Sequence, residues 1–76
     1  MAPEIVNLLM KLPFEEVMEI ATRQGVTVHY DAKRGDYHCE YVVDSGTSGT
    51  IVSVAPQQKI KLAVANAIVG CVEAKV

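Results

Sequence analysis

Four side chains in this sequence could bind a metal ion or attack a substrate: His29, His38, Cys39 and Cys71. His38 and Cys39 are adjacent, so in a strand they point to opposite faces and cannot hold one ion from the same side. His29 and Cys71 have no ligand-like spacing to that pair or to each other. The sequence therefore predicts buried thiols and partly exposed imidazoles, with no metal site. A nucleophilic cysteine also needs a base and an orienting group, and no such signature is present.

Two further segments resemble sites but are better explained by local structure. Residues 44–49 (DSGTSG) contain glycines but lack the Gly-Lys-Ser/Thr ending of a phosphate-binding loop, so they predict a turn. Glu15, Glu16 and Glu19 lie near the start of a predicted helix, where carboxylates complement the helix dipole. We therefore expect no catalytic residues, no cofactor and no enzymatic activity.

The first part of the chain predicts two helices. Apolar residues at positions 5, 8, 9 and 12 follow the spacing of an amphipathic helix, with Pro3 in its first turn. Pro13 ends that helix and allows a second one to begin. The second helix should end at Gly25 in a left-handed conformation. The residues expected on its apolar side are Phe14, Val17, Ile20 and Ala21.

The middle of the chain alternates apolar and polar residues, as strands do. Residues 26–30 and 37–43 predict a β-hairpin closed by a turn at 31–36, and residues 50–54 predict a third strand. Pro56 is expected to begin a last helix that could reach Val76.

These elements predict one α+β domain over residues 1–76. A chain of 76 residues with 50% hydrophobic residues is large enough for one small core. Three antiparallel strands cannot bury a face alone, so the helices should pack on one face of the sheet.

The order of the elements and two local motifs resemble the double-stranded-RNA-binding domain family. The motifs are residues 17–25 (VMEIATRQG), similar to the end of the family's first helix, and residues 56–69 (PQQKIKLAVANAIV), similar to the start of its last helix. The resemblance implies an α-β-β-β-α core, with residues 1–13 as an added N-terminal helix. It also implies three regions of RNA contact, which correspond here to Glu19, Lys33, Arg34, Gln57, Gln58, Lys59 and Lys61.

Charge predicts that any binding of duplex RNA is weak. Gln57 and Gln58 stand where the family has basic residues, and the net charge of the chain is −2. Affinity for a duplex depends on the number of phosphates that basic residues neutralise.

Two surfaces are instead predicted to bind protein. The last helix carries apolar residues on two opposite sides, and one side is expected to pack on the sheet. The other side could be covered by the N-terminal helix, by another chain or by both, and we favour another chain. The third strand also lacks residues that block pairing at a sheet edge. The predicted interface residues are Leu62, Ala65, Val69, Val72, Val76, Ile51 and Val52.

The sequence thus favours a non-catalytic protein-interaction module that dimerises with itself or a related chain. The resemblance implies a setting in RNA processing or silencing. The alternatives are a weak binder of double-stranded RNA and a small inhibitor or adaptor of viral type. The weakly charged run at residues 62–72 is about half the length of a membrane span, so no membrane insertion is expected. Two cysteines without a secretion signal predict an intracellular location.

Overall fold

The order of helices and strands follows the expected pattern. The computed structural model describes residues 3–45, 48–54 and 56–75. Helix α1 spans Pro3–Lys11 and α2 spans Phe14–Gln24, followed by strands β1 (Thr27–Asp31), β2 (Asp36–Ser45) and β3 (Ser48–Ser53), and by helix α3 (Ile60–Lys75). The prediction of an α+β fold in the order α-α-β-β-β-α is confirmed.

The two ends of α2 form where the sequence predicts them. Pro13 occupies the N-cap position, where its fixed φ and missing N–H do not oppose the helix. Gly25 adopts a left-handed conformation with φ of 79°. The N–H of Val26 then donates to the carbonyl of Ala21 at 2.9 Å, which satisfies one of the last helical carbonyls.

The sheet is antiparallel, with β2 between β1 and β3. Asp31 closes the first hairpin because its Oδ1 accepts the N–H groups of Lys33 and Arg34 at 3.0 and 3.4 Å. In the sheet, His29 of β1 lies opposite His38 of β2, and Val42 of β2 lies opposite Ile51 of β3.

The last helix begins at Ile60, so the prediction that it begins at Pro56 is wrong. Gln57 is held by the sheet instead, because it exchanges two backbone hydrogen bonds with Tyr37, at 2.8 and 2.9 Å.

Helix α3 is the centre of the structure. It packs against β2, α2 and α1, and most of its residues between positions 63 and 71 are buried. A helix that is apolar on all sides requires neighbours on all sides. Gly70 allows a close approach to the sheet, since a Cβ at this position would lie 3.1 Å from the hydroxyl oxygen of Tyr41. The buried core consists of Val6, Leu9, Val17, Ala21, Val26, Cys39, Tyr41, Ala63, Val64, Ala65, Ala67, Ile68, Val69 and Cys71.

The prediction of an interface on α3 is wrong for two residues. Ala65 and Val69 are only 0% and 2% exposed, because the chain's own elements surround α3. Leu62 is half-buried and Val72 is exposed. Val76 lies outside the described residues.

Helix α1 covers α3 with only part of the apolar face predicted at positions 5, 8, 9 and 12, because Leu9 is buried but Val6 takes the place of two of the others. Val6 and Leu9 are buried, whereas Ile5 and Leu8 are exposed. The reason is that α1 is apolar on two adjoining faces, and the spacing alone does not decide which of them meets α3.

The face of the sheet that holds Cys39 and Tyr41 belongs to the core, and α3 packs on it. The opposite face is open, since His29, Val42 and Ile51 are all exposed there. In the described part of the chain, no helix has both the length and the apolar content that crossing a membrane requires.

Candidate functional site: the open face and free edge of the sheet

The open face of the sheet carries two adjoining groups of side chains. Side chains alternate between the two faces along each strand, so the register determines which residues share the open face. A polar group spans β1 and β2, and an apolar pair spans β2 and β3. This face includes Thr27, His29, His38, Glu40, Val42, Ile51 and Ser53.

The polar group brings together two imidazoles and a carboxylate. His29 Nε2 lies 2.8 Å from Glu40 Oε1, and the rings of His29 and His38 stack with centroids 5.0 Å apart and planes at 17°. Ser53 Oγ donates to the second carboxylate oxygen, Oε2 of Glu40, at 3.5 Å. The metal-binding atoms of His29, His38 and Glu40 all lie within 4.8 Å of one another.

Sequence reasoning missed this cluster of side chains. It compared His38 with its neighbour Cys39, and the structure does place Cys39 on the core face. The informative signal was the hairpin register. With Asp31 opposite Asp36, residues equally far from the turn are partners, and this places His29 opposite His38.

The two thiols do not contribute to the open face. Cys39 and Cys71 are free and buried. Burial raises the pKa of the Cys39 thiol, because the thiolate loses its hydration inside the core. Cys71 Sγ donates to the backbone carbonyl of Gln24 at 3.5 Å, which links α3 to the end of α2.

The apolar pair of the open face is formed by Val42 and Ile51. They are direct cross-strand partners and are 54% and 67% exposed. Val52, which was predicted to be an interface residue, faces the other side of the sheet, where it is half-buried against the core. Neighbouring residues of a strand point to opposite faces, so Val52 does not join Ile51 on the open face.

Strand β3 forms one edge of the sheet, and its outer backbone groups can be assigned. The N–H of Val54 donates to the carbonyl of Cys39 at 2.9 Å, so in this register the even-numbered residues are the ones bonded to β2. The N–H and C=O groups of Gly49, Ile51 and Ser53 therefore point away from β2. The strand contains no lysine or proline that would block pairing at this edge.

The residues that the resemblance implies for RNA contact lie in two regions. Lys33 and Arg34 lie in the exposed turn between β1 and β2. The pairing of Tyr37 with Gln57 places the exposed Gln58 and Lys59 at the same end of the sheet. Gln57 is half-buried and Glu19 is exposed on α2.

Lys61 differs from the other basic candidates because it has a structural partner. Its Nζ donates to the backbone carbonyl of Met10 at 2.7 Å and is partly buried. This bond satisfies a carbonyl at the C-terminal end of α1, where a positive charge is favourable. The charge of Lys61 is therefore engaged inside the molecule.

Comparisons with known proteins returned no relative: no protein-family model, no curated protein and no solved structure matches the chain. The resemblance to the double-stranded-RNA-binding domain accordingly rests on the order of the elements and on the two sequence motifs.

Proposed function

We propose that this protein is a non-catalytic dimerisation module that pairs with a second copy of itself along the free edge of β3. The observation that carries the proposal is the unblocked edge of β3 with the exposed Ile51 at its middle. An edge strand of this kind offers backbone hydrogen bonds to a partner strand, while exposed side chains supply the contact area.

The edge is self-complementary about Ile51. In an antiparallel pair related by a two-fold axis at this residue, Ile51 would face Ile51 of the second copy, and Gly49 would face Ser53. These are the residues whose backbone groups point outward, so the hydrogen bonds match. Val42 lies beside Ile51, and the combined six-stranded sheet would carry a row of four apolar side chains across its open face.

The resemblance supports a cellular process for this module, and the two free thiols support a compartment. Members of the resembled family act in RNA processing and silencing, and we infer that this protein dimerises as part of such machinery. The buried free thiols of Cys39 and Cys71 suit a reducing compartment inside the cell.

A disulfide cross-link tests the predicted register. Directly opposite residues of a hydrogen-bonded antiparallel pair have Cα atoms about 5.5 Å apart, which suits a disulfide. We expect Ile51→Cys to form a covalent dimer of twice 8.2 kDa under mild oxidation. Because Cys39 and Cys71 are buried, they should not react.

Val42→Cys is the matched control for this cross-link. It lies on the same open face and is similarly exposed, but its copy would be about three strand spacings away, or roughly 14 Å, beyond the reach of a disulfide. Equal cross-linking of both variants, or of neither, would contradict the register.

A charge substitution tests the interface itself by mass in solution. Ile51→Lys would place two like charges at the centre of the pair, so we expect light scattering to report the mass of one chain. Leu8→Lys is the control, since Leu8 is equally exposed on α1, at 62%. If Leu8→Lys dissociates the dimer and Ile51→Lys does not, the interface lies on α1. A wild-type protein that is monomeric in solution refutes the proposal.

A further inference from the structure

We propose that His29, His38 and Glu40 bind one divalent transition-metal ion, Zn²⁺, on the open face of the sheet. The site lies on β1 and β2, while the proposed dimer contact lies at the edge of β3. The two proposals are therefore independent of each other.

The backbone holds the three ligands on one face of a hydrogen-bonded hairpin. His29 and His38 are directly opposite each other, and Glu40 follows His38 by two residues on the same strand. The alternation of side chains directs all three to the same side. Because pairing with β1 and β3 holds β2 on both sides, the Cβ positions are fixed before any ion binds.

Side-chain rotation is needed to reach coordination geometry, because the stacked rings of His29 and His38 do not aim their nitrogen lone pairs at one point. In a tetrahedral zinc site with bonds of about 2.0–2.1 Å, neighbouring ligand atoms are about 3.3 Å apart. The ligand atoms of this cluster already lie within 4.8 Å of one another. The side chains of His29 and Glu40 are 50% and 29% exposed, so rotation of the rings and the carboxylate can close the gap.

The chemistry of the ligands selects the class of ion. Two imidazoles and one carboxylate suit zinc, copper or nickel, whereas magnesium and calcium prefer oxygen ligands throughout. Three protein ligands leave a fourth position of a tetrahedral ion open to water on this exposed face. Ser53 Oγ contacts Oε2 of Glu40, which leaves Oε1 beside His29 for the metal.

Without a metal, the same three residues would act only as an ion pair and a stacked ring pair that stabilise the hairpin. The two roles predict opposite results on addition of zinc. A metal site binds Zn²⁺ through both imidazoles, whereas a purely structural cluster leaves the histidine resonances unchanged.

Calorimetric titration of the full chain with Zn²⁺ tests the proposal. We expect one ion per chain, and we expect His29→Gln, His38→Gln and Glu40→Gln each to weaken binding by at least about tenfold. Asp36→Asn is the matched control, because Asp36 lies on the same face two residues before His38 but outside the cluster. Its affinity should equal that of the wild type.

Spectroscopy of the wild type keeps the test decisive even if a variant fails to fold. Zn²⁺ should shift the imidazole NMR signals of both histidines, and Co²⁺ should give the visible bands of a four-coordinate nitrogen and oxygen site. An intense thiolate-to-cobalt band would assign the ion to cysteine and overturn the proposal. Absence of binding, or one ion per two chains, would overturn it as well.

Discussion

Lys61 shows how one side chain joins distant parts of this small chain. Its ammonium group bonds to Met10, which lies 51 residues earlier, and so ties the start of α3 to the end of α1. A hydrogen bond from a charged donor contributes more than a neutral one, and removing the donor leaves the carbonyl without that partner.

We expect Lys61→Met to lower the free energy of unfolding by about 1–2 kcal/mol, because the apolar stem is kept and the hydrogen bond is lost. Urea denaturation measures this change. Lys59→Met is the control, since Lys59 is exposed and its loss should change stability by less than about 0.5 kcal/mol. Equal effects of the two substitutions would show that the bond to Met10 does not stabilise the protein.

Gly70 of α3 lies against Tyr41 of the sheet, and the two residues should be energetically coupled. Gly70→Ala gains about 1 kcal/mol of helix propensity, but its Cβ would lie 3.1 Å from the Tyr41 hydroxyl oxygen. Crowding in a packed core costs about 1–3 kcal/mol, so we expect a net loss of stability.

Removing the hydroxyl group of Tyr41 should reverse the effect of Gly70→Ala on stability. In a Tyr41→Phe background the nearest remaining ring atom lies 3.4 Å from the added Cβ, which is an ordinary contact. Gly70→Ala should then stabilise the protein by up to about 1 kcal/mol. A double-mutant cycle in urea measures the coupling, and identical effects of Gly70→Ala in both backgrounds would contradict the argument.

At the scale of elements, the orientation of α1 is the most informative feature. The buried Leu9 and the exposed Leu8 are neighbours of the same residue type on one helix. We expect Leu9→Ala to lower the unfolding free energy by about 2–3 kcal/mol and Leu8→Ala to change it by less than about 0.5 kcal/mol. Thermal denaturation compares the two directly, and the reverse order would contradict the burial of Leu9 in the core.

Those parts of the fold that depend on local chemistry could be predicted from the sequence. Pro13 and Gly25 mark the ends of helices through their own backbone preferences, and alternation identifies the strands. The start of α3 could not be predicted, because tertiary pairing of Gln57 with Tyr37 overrides the helix signal at Pro56. The buried face of α1 also depends on what it meets.

The candidate site was only partly predictable for the same reason. The free edge of β3 follows from the strand order, and its exposed Ile51 was named from sequence. The cluster of His29, His38 and Glu40 required the register of the hairpin, since spacing along the chain does not reveal cross-strand partners. Burial of Ala65 and Val69 required knowledge of how many elements surround α3.

At the scale of the whole molecule, charge limits any interaction with nucleic acid. The net charge is −2, and the ammonium group of Lys61 is engaged with Met10. Arg34 Nε also lies 3.9 Å from a carboxylate oxygen of Asp31. Of the residues that the resemblance implies for RNA contact, Lys33, Arg34 and Lys59 are the cations that remain, and together they contribute a salt slope of at most about −2.7 at roughly 0.9 per phosphate.

We therefore expect duplex RNA to bind with a dissociation constant no tighter than about 10⁻⁵ M at roughly 0.15 M salt. Gln58→Lys should strengthen binding and steepen the salt slope by about 0.9, because Gln58 is exposed beside Lys59. Gln57→Lys should do less, since Gln57 is half-buried and held by Tyr37. Fluorescence anisotropy across a salt series measures both quantities.

Asn7→Lys separates a local contact from a general effect of charge. It adds the same single charge at an exposed position of α1, so it should leave the salt slope close to that of the wild type. If Asn7→Lys and Gln58→Lys steepen the salt slope equally, the start of α3 has no special contact with phosphates. The RNA-contact role that the resemblance implies for this region is then contradicted. Sub-micromolar binding by the unmodified chain would instead make double-stranded RNA, rather than a second copy, the leading partner, since the three cations left in the implied contact regions cannot supply that affinity through charge alone.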